Sequence, residues 1–128
     1  MRIWNLTPHE IRYENEEVSR TFLSDCIARA VQVDTDQRLI LGLATVERTY
    51  DGVEGLPIEI ADGDILIVST ILAEAMVSSK DNRWNNVTIL VPDTGPSCKR
   101  NSDGVVASVS QFILKLYCLS TASYLSSV

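Results

Sequence analysis

The stretch Ile65-Leu66-Ile67-Val68-Ser69-Thr70-Ile71-Leu72-Ala73-Glu74-Ala75-Met76, followed by Val87-Thr88-Ile89-Leu90-Val91, decides how this chain is read. Asp62-Gly63-Asp64 marks a turn, and the four apolar residues after it have the length and continuity of a strand buried on both faces. Ser69-Thr70 offers a helix N-cap, and Ile71 to Ser79 carries Ile71, Leu72, Ala75 and Met76 on one face. A polar loop, Lys80 to Asn86, leads into a second buried strand, Val87 to Val91. Strand, helix, strand implies a crossover. A right-handed crossover between parallel strands puts both strand ends at one sheet edge.

Outward from this unit the chain reads as strands. Arg2 to Leu6 alternates Ile3 and Asn5 against Trp4 and Leu6, then breaks at Thr7-Pro8-His9, where Pro8 removes a donor. Ile11 to Tyr13 resumes, Glu14 to Glu17 is a solvated turn, and Val18 to Leu23 is extended. Cys26 to Val33 also suits a helix through Ala28 and Ala30, but its β-branched alternation favours a strand. Leu39 to Tyr50 reads as one long strand with a bulge at Gly42, and Asp51-Gly52 as a turn. Val105 to Ile113 is the last expected strand. The expected class is α/β (α+β): a mixed, mostly antiparallel sheet with one or two helices packed on it. With no internal repeat and no linker, 1–128 is expected to be a single domain, with 115–128 as an oligomerisation or frayed segment.

The totals narrow the function. At 128 residues the chain can bury one core, and 45% hydrophobic with 22% charged residues is ordinary for a globular domain. The formal net charge of −6 argues against duplex nucleic acid as a partner, because that interaction depends on a basic face. A small anionic ligand stays open, since a few convergent cations and N–H groups suffice. Cys26, Cys98 and Cys118 are odd in number and show no zinc spacing, so free thiols, no metal and a cytoplasmic setting are expected. Met1 to Leu6 lacks the layout of a secretory leader. The apolar run Val105 to Val128 is interrupted by Gln111, Lys115 and seven Ser/Thr, a poor membrane span.

His9 is the single histidine, and a Ser–His–acid triad would have to use it, yet no G-x-S-x-G elbow accompanies it. A structural hydrogen bond and a ligand contact are both open for it. Ser69 and Thr70 stand where a buried strand meets a helix, the place where anions collect, and a plain N-cap is the alternative. Asp93, Thr94 and Gly95 lie between Pro92 and Pro96 in a stiffened loop that binds at low ordering cost, or is simply a turn. Arg48, Lys99 and Arg100 are the cations expected near that loop, with solvated surface charge as the alternative. Trp84, in the polar stretch Asn82 to Asn86, is a candidate base-stacking platform or a residue covering the core. No catalytic set and no cofactor are expected.

Asn5-Leu6-Thr7-Pro8-His9, Gly55-Leu56-Pro57, Ile67-Val68-Ser69 and Pro92-Asp93-Thr94-Gly95-Pro96 resemble recurring segments of a group of small phage and prophage proteins. Across roughly Met1 to Ile113 the chain most resembles the first type of Thoeris anti-defence proteins. The resemblance implies a phage protein in the cytoplasm of an infected bacterium. Its role would be that of a sponge, taking up glycocyclic ADP-ribose or a cyclic oligonucleotide without cleaving it. It implies phosphate contacts at Arg48 and Arg100 alone; Asn5 and His9 complete the candidate ligand residues. The apolar C-terminal residues Phe112, Ile113, Leu114, Leu116, Tyr117 and Leu119 lead to the expectation of a homo-oligomer with no membrane partner. A nuclease or phosphodiesterase acting on such a signal is the enzymatic alternative, and a phage structural protein without a small ligand is the third.

Overall fold

The computed structural model describes residues 1–78, 84 and 86–117. In chain order the strands are β1 (Ile3–Asn5), β2 (Ile11–Glu14), β3 (Ser19–Phe22), β4 (Arg29–Asp34), β5 (Arg38–Ile40), β6 (Leu43–Thr45), β7 (Arg48–Glu54) and β8 (Ile65–Ile67). The helix α1 (Thr70–Ser78) comes next, then β9 (Thr88–Pro92), β10 (Lys99–Arg100), β11 (Val106–Ser108) and β12 (Phe112–Leu116). The described residues are thus mostly strand with one short helix.

The strand–helix–strand unit forms as its residues require. β8 pairs in parallel with both β1 and β9, and β12 closes the sheet antiparallel to β9, giving the order β1-β8-β9-β12. Ile65, Leu66, Ile67 and Val68 are all buried, as expected of a central strand covered on both faces. Ser69 caps α1, its Oγ accepting the Leu72 N–H at 3.2 Å. The helix buries Leu72, Ala73, Ala75 and Met76; Ile71, expected on that face, points to solvent, and Ala73 takes its place. This sheet is mixed, and the other pairings, β2-β3, β4-β7, β5-β6 and β10-β11, are two-stranded and antiparallel.

Two glycines exchange their expected roles. The segment Leu39 to Tyr50 is not one bulged strand. It folds back as the hairpin β5-β6, where Ile40 pairs with Leu43 across a two-residue turn of Leu41 (φ 49°) and Gly42 (φ 80°). Such turns need positive φ at both central residues, which Gly42 supplies without strain and Leu41 does not. Asp51-Gly52, expected as a turn, lies inside β7. There Gln32 pairs with Tyr50 and Ala30 with Val53, so two residues oppose one and Gly52 (φ 84°) takes up the bulge. The strand expected from Val105 to Ile113 is likewise two, β11 and β12, parted at Ser110-Gln111.

The main core lies between α1 and the sheet and includes Trp4, Leu66, Leu72, Met76, Trp84 and Ile89. On the other side, Ile11, Ile67 and Val109 form a smaller cluster against which Phe22 and Phe112 pack. Of the C-terminal residues expected to drive oligomerisation, Phe112 stacks on Tyr13 and Leu116 packs on the main core. Leu119 and the rest of 118–128 lie outside the described residues.

Candidate functional site

The three parallel strands end at the same edge, and the residues just beyond each of them line one cleft of about 590 Å³. Thr7 and His9 lie beyond β1, Ser69 and Thr70 beyond β8, and Thr94 beyond β9. The opposite wall is β11 with its flanks, Val105 to Val109. It is drawn in by Val109, which bonds through its N–H to Arg12 and through its carbonyl to Glu14. Ile11, Val68, Val91 and Val106 give the cleft apolar walls, and its polar groups gather at the strand ends. Clefts at the carboxyl ends of parallel strands are where ligands of open α/β sheets bind.

Asn5 shapes one rim from beneath. Its side chain is buried, donates to the carbonyls of His9 (2.8 Å) and Phe22 (2.9 Å), and accepts the Thr7 N–H (3.0 Å) and hydroxyl (2.6 Å). One amide thus satisfies three groups of the turn after β1 and the Phe22 carbonyl of β3, and it holds His9 at the cleft. Asn5 is a positioning residue rather than a lining one. His9 itself is exposed and lines the cleft.

The loop after β9 is built the same way. Asp93 accepts Gln111 Nε2 at 2.6 Å, the Gly95 N–H at 3.0 Å and the Ser97 hydroxyl at 3.3 Å. These bonds, the Gln111 amide foremost, hold its carboxyl below the usual carboxylate range. Its oxygens are spent on the loop, and Thr94 is the residue of the loop that faces the cleft. Arg100 donates to the carbonyls of Thr94 and Gly104, both at 2.9 Å, and so braces the loop from outside the lining. Lys99 is exposed beside it on β10.

Arg48 is not part of this arrangement. It lies in β7 with its guanidinium on Asp34 in a bidentate pair of 2.9 and 3.1 Å. That pair lowers the Asp34 carboxyl. Trp84 is 5% exposed within the main core, so neither face of its indole is open to a base. The cation that does line the cleft is Arg12, which sequence reasoning passes over; it pairs with Glu10 at 3.2 Å. Its one local signal is the alternation of Ile11 and Tyr13, which turns Arg12 away from the core side of β2.

Among the described residues, no three His, Cys, Asp or Glu side chains come together to hold a metal. No helix among them is long and apolar enough to cross a membrane. No protein-family model, curated protein or solved structure matches the chain.

Proposed function

We propose that the cleft binds a small phosphorylated nucleotide-type ligand and that the chain sequesters it without chemical change. One observation carries this reading: the ends of β1, β8 and β9 and the capped start of α1 converge on a single cleft with apolar walls. A flat apolar moiety suits the valine-rich walls, and an anionic group suits the N-terminus of α1 with His9, Arg12 and the hydroxyls of Ser69, Thr70 and Thr94 around it. Three of the four segments that resemble small phage proteins, those starting at Asn5, Ile67 and Pro92, contribute Thr7, His9, Val68, Ser69, Pro92 and Thr94 to this lining. That coincidence supports the finer reading of an anti-defence sponge for a cyclic nucleotide or ADP-ribose-derived signal in an infected bacterium.

The test is a thermal-shift panel of cyclic dinucleotides, cyclic trinucleotides and ADP-ribose isomers, with heat release of whatever binds. A true ligand at 100 times its Kd adds about 2.7 kcal/mol of stability. The released molecule should be chemically intact. A linearised or hydrolysed product would put the nuclease reading first, and stabilisation by no member of the panel would remove the nucleotide class.

A further inference from the structure

We propose that the ribbon from Arg29 to Glu54 is a self-association arm, through which two copies of this chain pair about a two-fold axis. Only its root belongs to the body of the protein: Ala30 and Val53 pack against the main core, beside α1. Beyond the root, β4-β7 and then β5-β6 continue as a two-stranded ribbon, an arrangement that is marginal in water unless something covers it. Among the described residues, eight of the nineteen exposed large apolar side chains fall between Val31 and Tyr50. At the tip, Leu39, Ile40 and Leu43 are more than half exposed and Leu41 is 98% exposed.

Area and charge choose the occupant. Burying a large apolar side chain withdraws roughly 60–120 Å². Leu39 and the Ile40–Leu43 pair, like Val33 and Tyr50, lie on opposite faces of the ribbon. One partner therefore meets roughly half of the eight, on the order of 250 Å², and the open strand edges supply the rest of the roughly 800 Å² per partner in a standard interface. The ribbon closes its own ion pairs, Arg48 with Asp34 and Arg38 with Glu47, so two ribbons can meet without stranding those charges. A two-fold axis sets each open strand edge against its own copy in antiparallel register, so that unpaired donors meet unpaired acceptors. A bilayer fits less well: with those pairs closed, no unpaired cation among the described residues of the ribbon tip is left for anionic headgroups, Asp36 adds a negative charge beside the apolar residues, and the chain's net charge is −6. The arm does not depend on any ligand in the cleft.

Sedimentation velocity on the full chain at micromolar concentration tests this. The parent should sediment as a dimer. Leu39→Ser with Leu43→Ser should weaken association roughly tenfold or more, with the far-UV circular dichroism unchanged. Ile113→Ser with Leu114→Ser, half-exposed positions on β12, should leave association as in the parent. Hydrogen exchange on the parent alone gives a second reading, with amide protection in β5-β6 rising with protein concentration. A monomeric parent, equal loss in the β12 variant, or exchange in β5-β6 indifferent to concentration would overturn the proposal. So would a monomer that floats with vesicles of phosphatidylcholine and phosphatidylglycerol.

Discussion

Trp4 donates its indole N–H to a carboxylate oxygen of Asp64 at 2.9 Å, joining positions sixty residues apart. The same carboxylate accepts the backbone N–H of Arg2 and of Ala61, each at 2.9 Å. Asp64 is buried, and burial alone would raise its pKa. The bonds from Ala61, Trp4 and Arg2, with the positive amino terminus, outweigh that and hold it below the ordinary value.

Asp64→Asn should therefore cost about 2–3 kcal/mol at neutral pH, because an amide turns an N–H toward groups that are all donors. The lowered pKa fixes the sign of the pH dependence. The stabilisation is complete above the unfolded carboxylate's value near about pH 4 and is lost as pH falls through the lower folded value. Urea titrations of parent and variant should converge in acid. A gap that stays constant between neutral and strongly acid pH would show that the carboxylate's charge is irrelevant.

Gly55→Ala and Gly52→Ala separate steric from torsional cost. Both glycines have positive φ, 82° and 84°. A Cβ at Gly55 would run into the carbonyl oxygen of Ile27, while one at Gly52 meets nothing within 4 Å. Gly52→Ala should cost about 1–2 kcal/mol, from φ alone. Gly55→Ala should cost clearly more, measured by thermal or urea denaturation. Equal costs would mean that the Gly55 turn yields freely.

Both tryptophans, Trp4 and Trp84, are 5% exposed. Iodide should quench the folded protein's fluorescence weakly, the emission maximum should lie to the blue, and unfolding should reverse both. An indole that is strongly quenched in the folded state would restore Trp84 as a stacking platform.

Arg100 and Arg48 should behave differently toward any ligand the thermal-shift panel identifies. Arg100→Ala frees the carbonyls of Thr94 and Gly104, so it should speed hydrogen exchange around Thr94 and weaken binding severalfold. Arg48→Ala should leave affinity unchanged, since its guanidinium is paired to Asp34 and outside the lining. Equal losses in the two variants would refute this division.

Features encoded over a few residues are legible in the sequence, and the βαβ unit shows why. Four consecutive apolar residues, a serine cap and a helical stripe are each short-range signals, and together they put Ser69, Thr70 and Thr94 at one edge. Arg48 is not legible in this way, because a cation's surroundings are set by its cross-strand neighbour, and nothing near it in sequence names Asp34. Gly42 and Gly52 carry the same residue-level message, positive φ, which a turn and a bulge use equally. Trp84 sits among asparagines and is still buried, because its burial is decided by α1 and the sheet and not by its neighbours. Asn5 stands out in the sequence as a candidate ligand residue, but its hydrogen bonds around the turn reach as far as Phe22, which no local pattern contains.

The parallel pairing of β1 with β8 also sets a schedule for synthesis. Ile3 can find Ile65 only after some sixty more residues have been made, which at about 5–20 residues per second is a wait of roughly 3–12 s. The hairpins β2-β3, β5-β6 and β4-β7 close over short separations and can form during that wait. β1, with its buried Trp4 and Asn5, has no sheet to join until β8 emerges, and β9 and β12 come later still. The cleft is therefore complete only once Val109 has been made, because its walls come from residues 7 to 109, and β12 is the one described strand that follows it. A nascent chain stalled before β9 would carry its hairpins and no binding site.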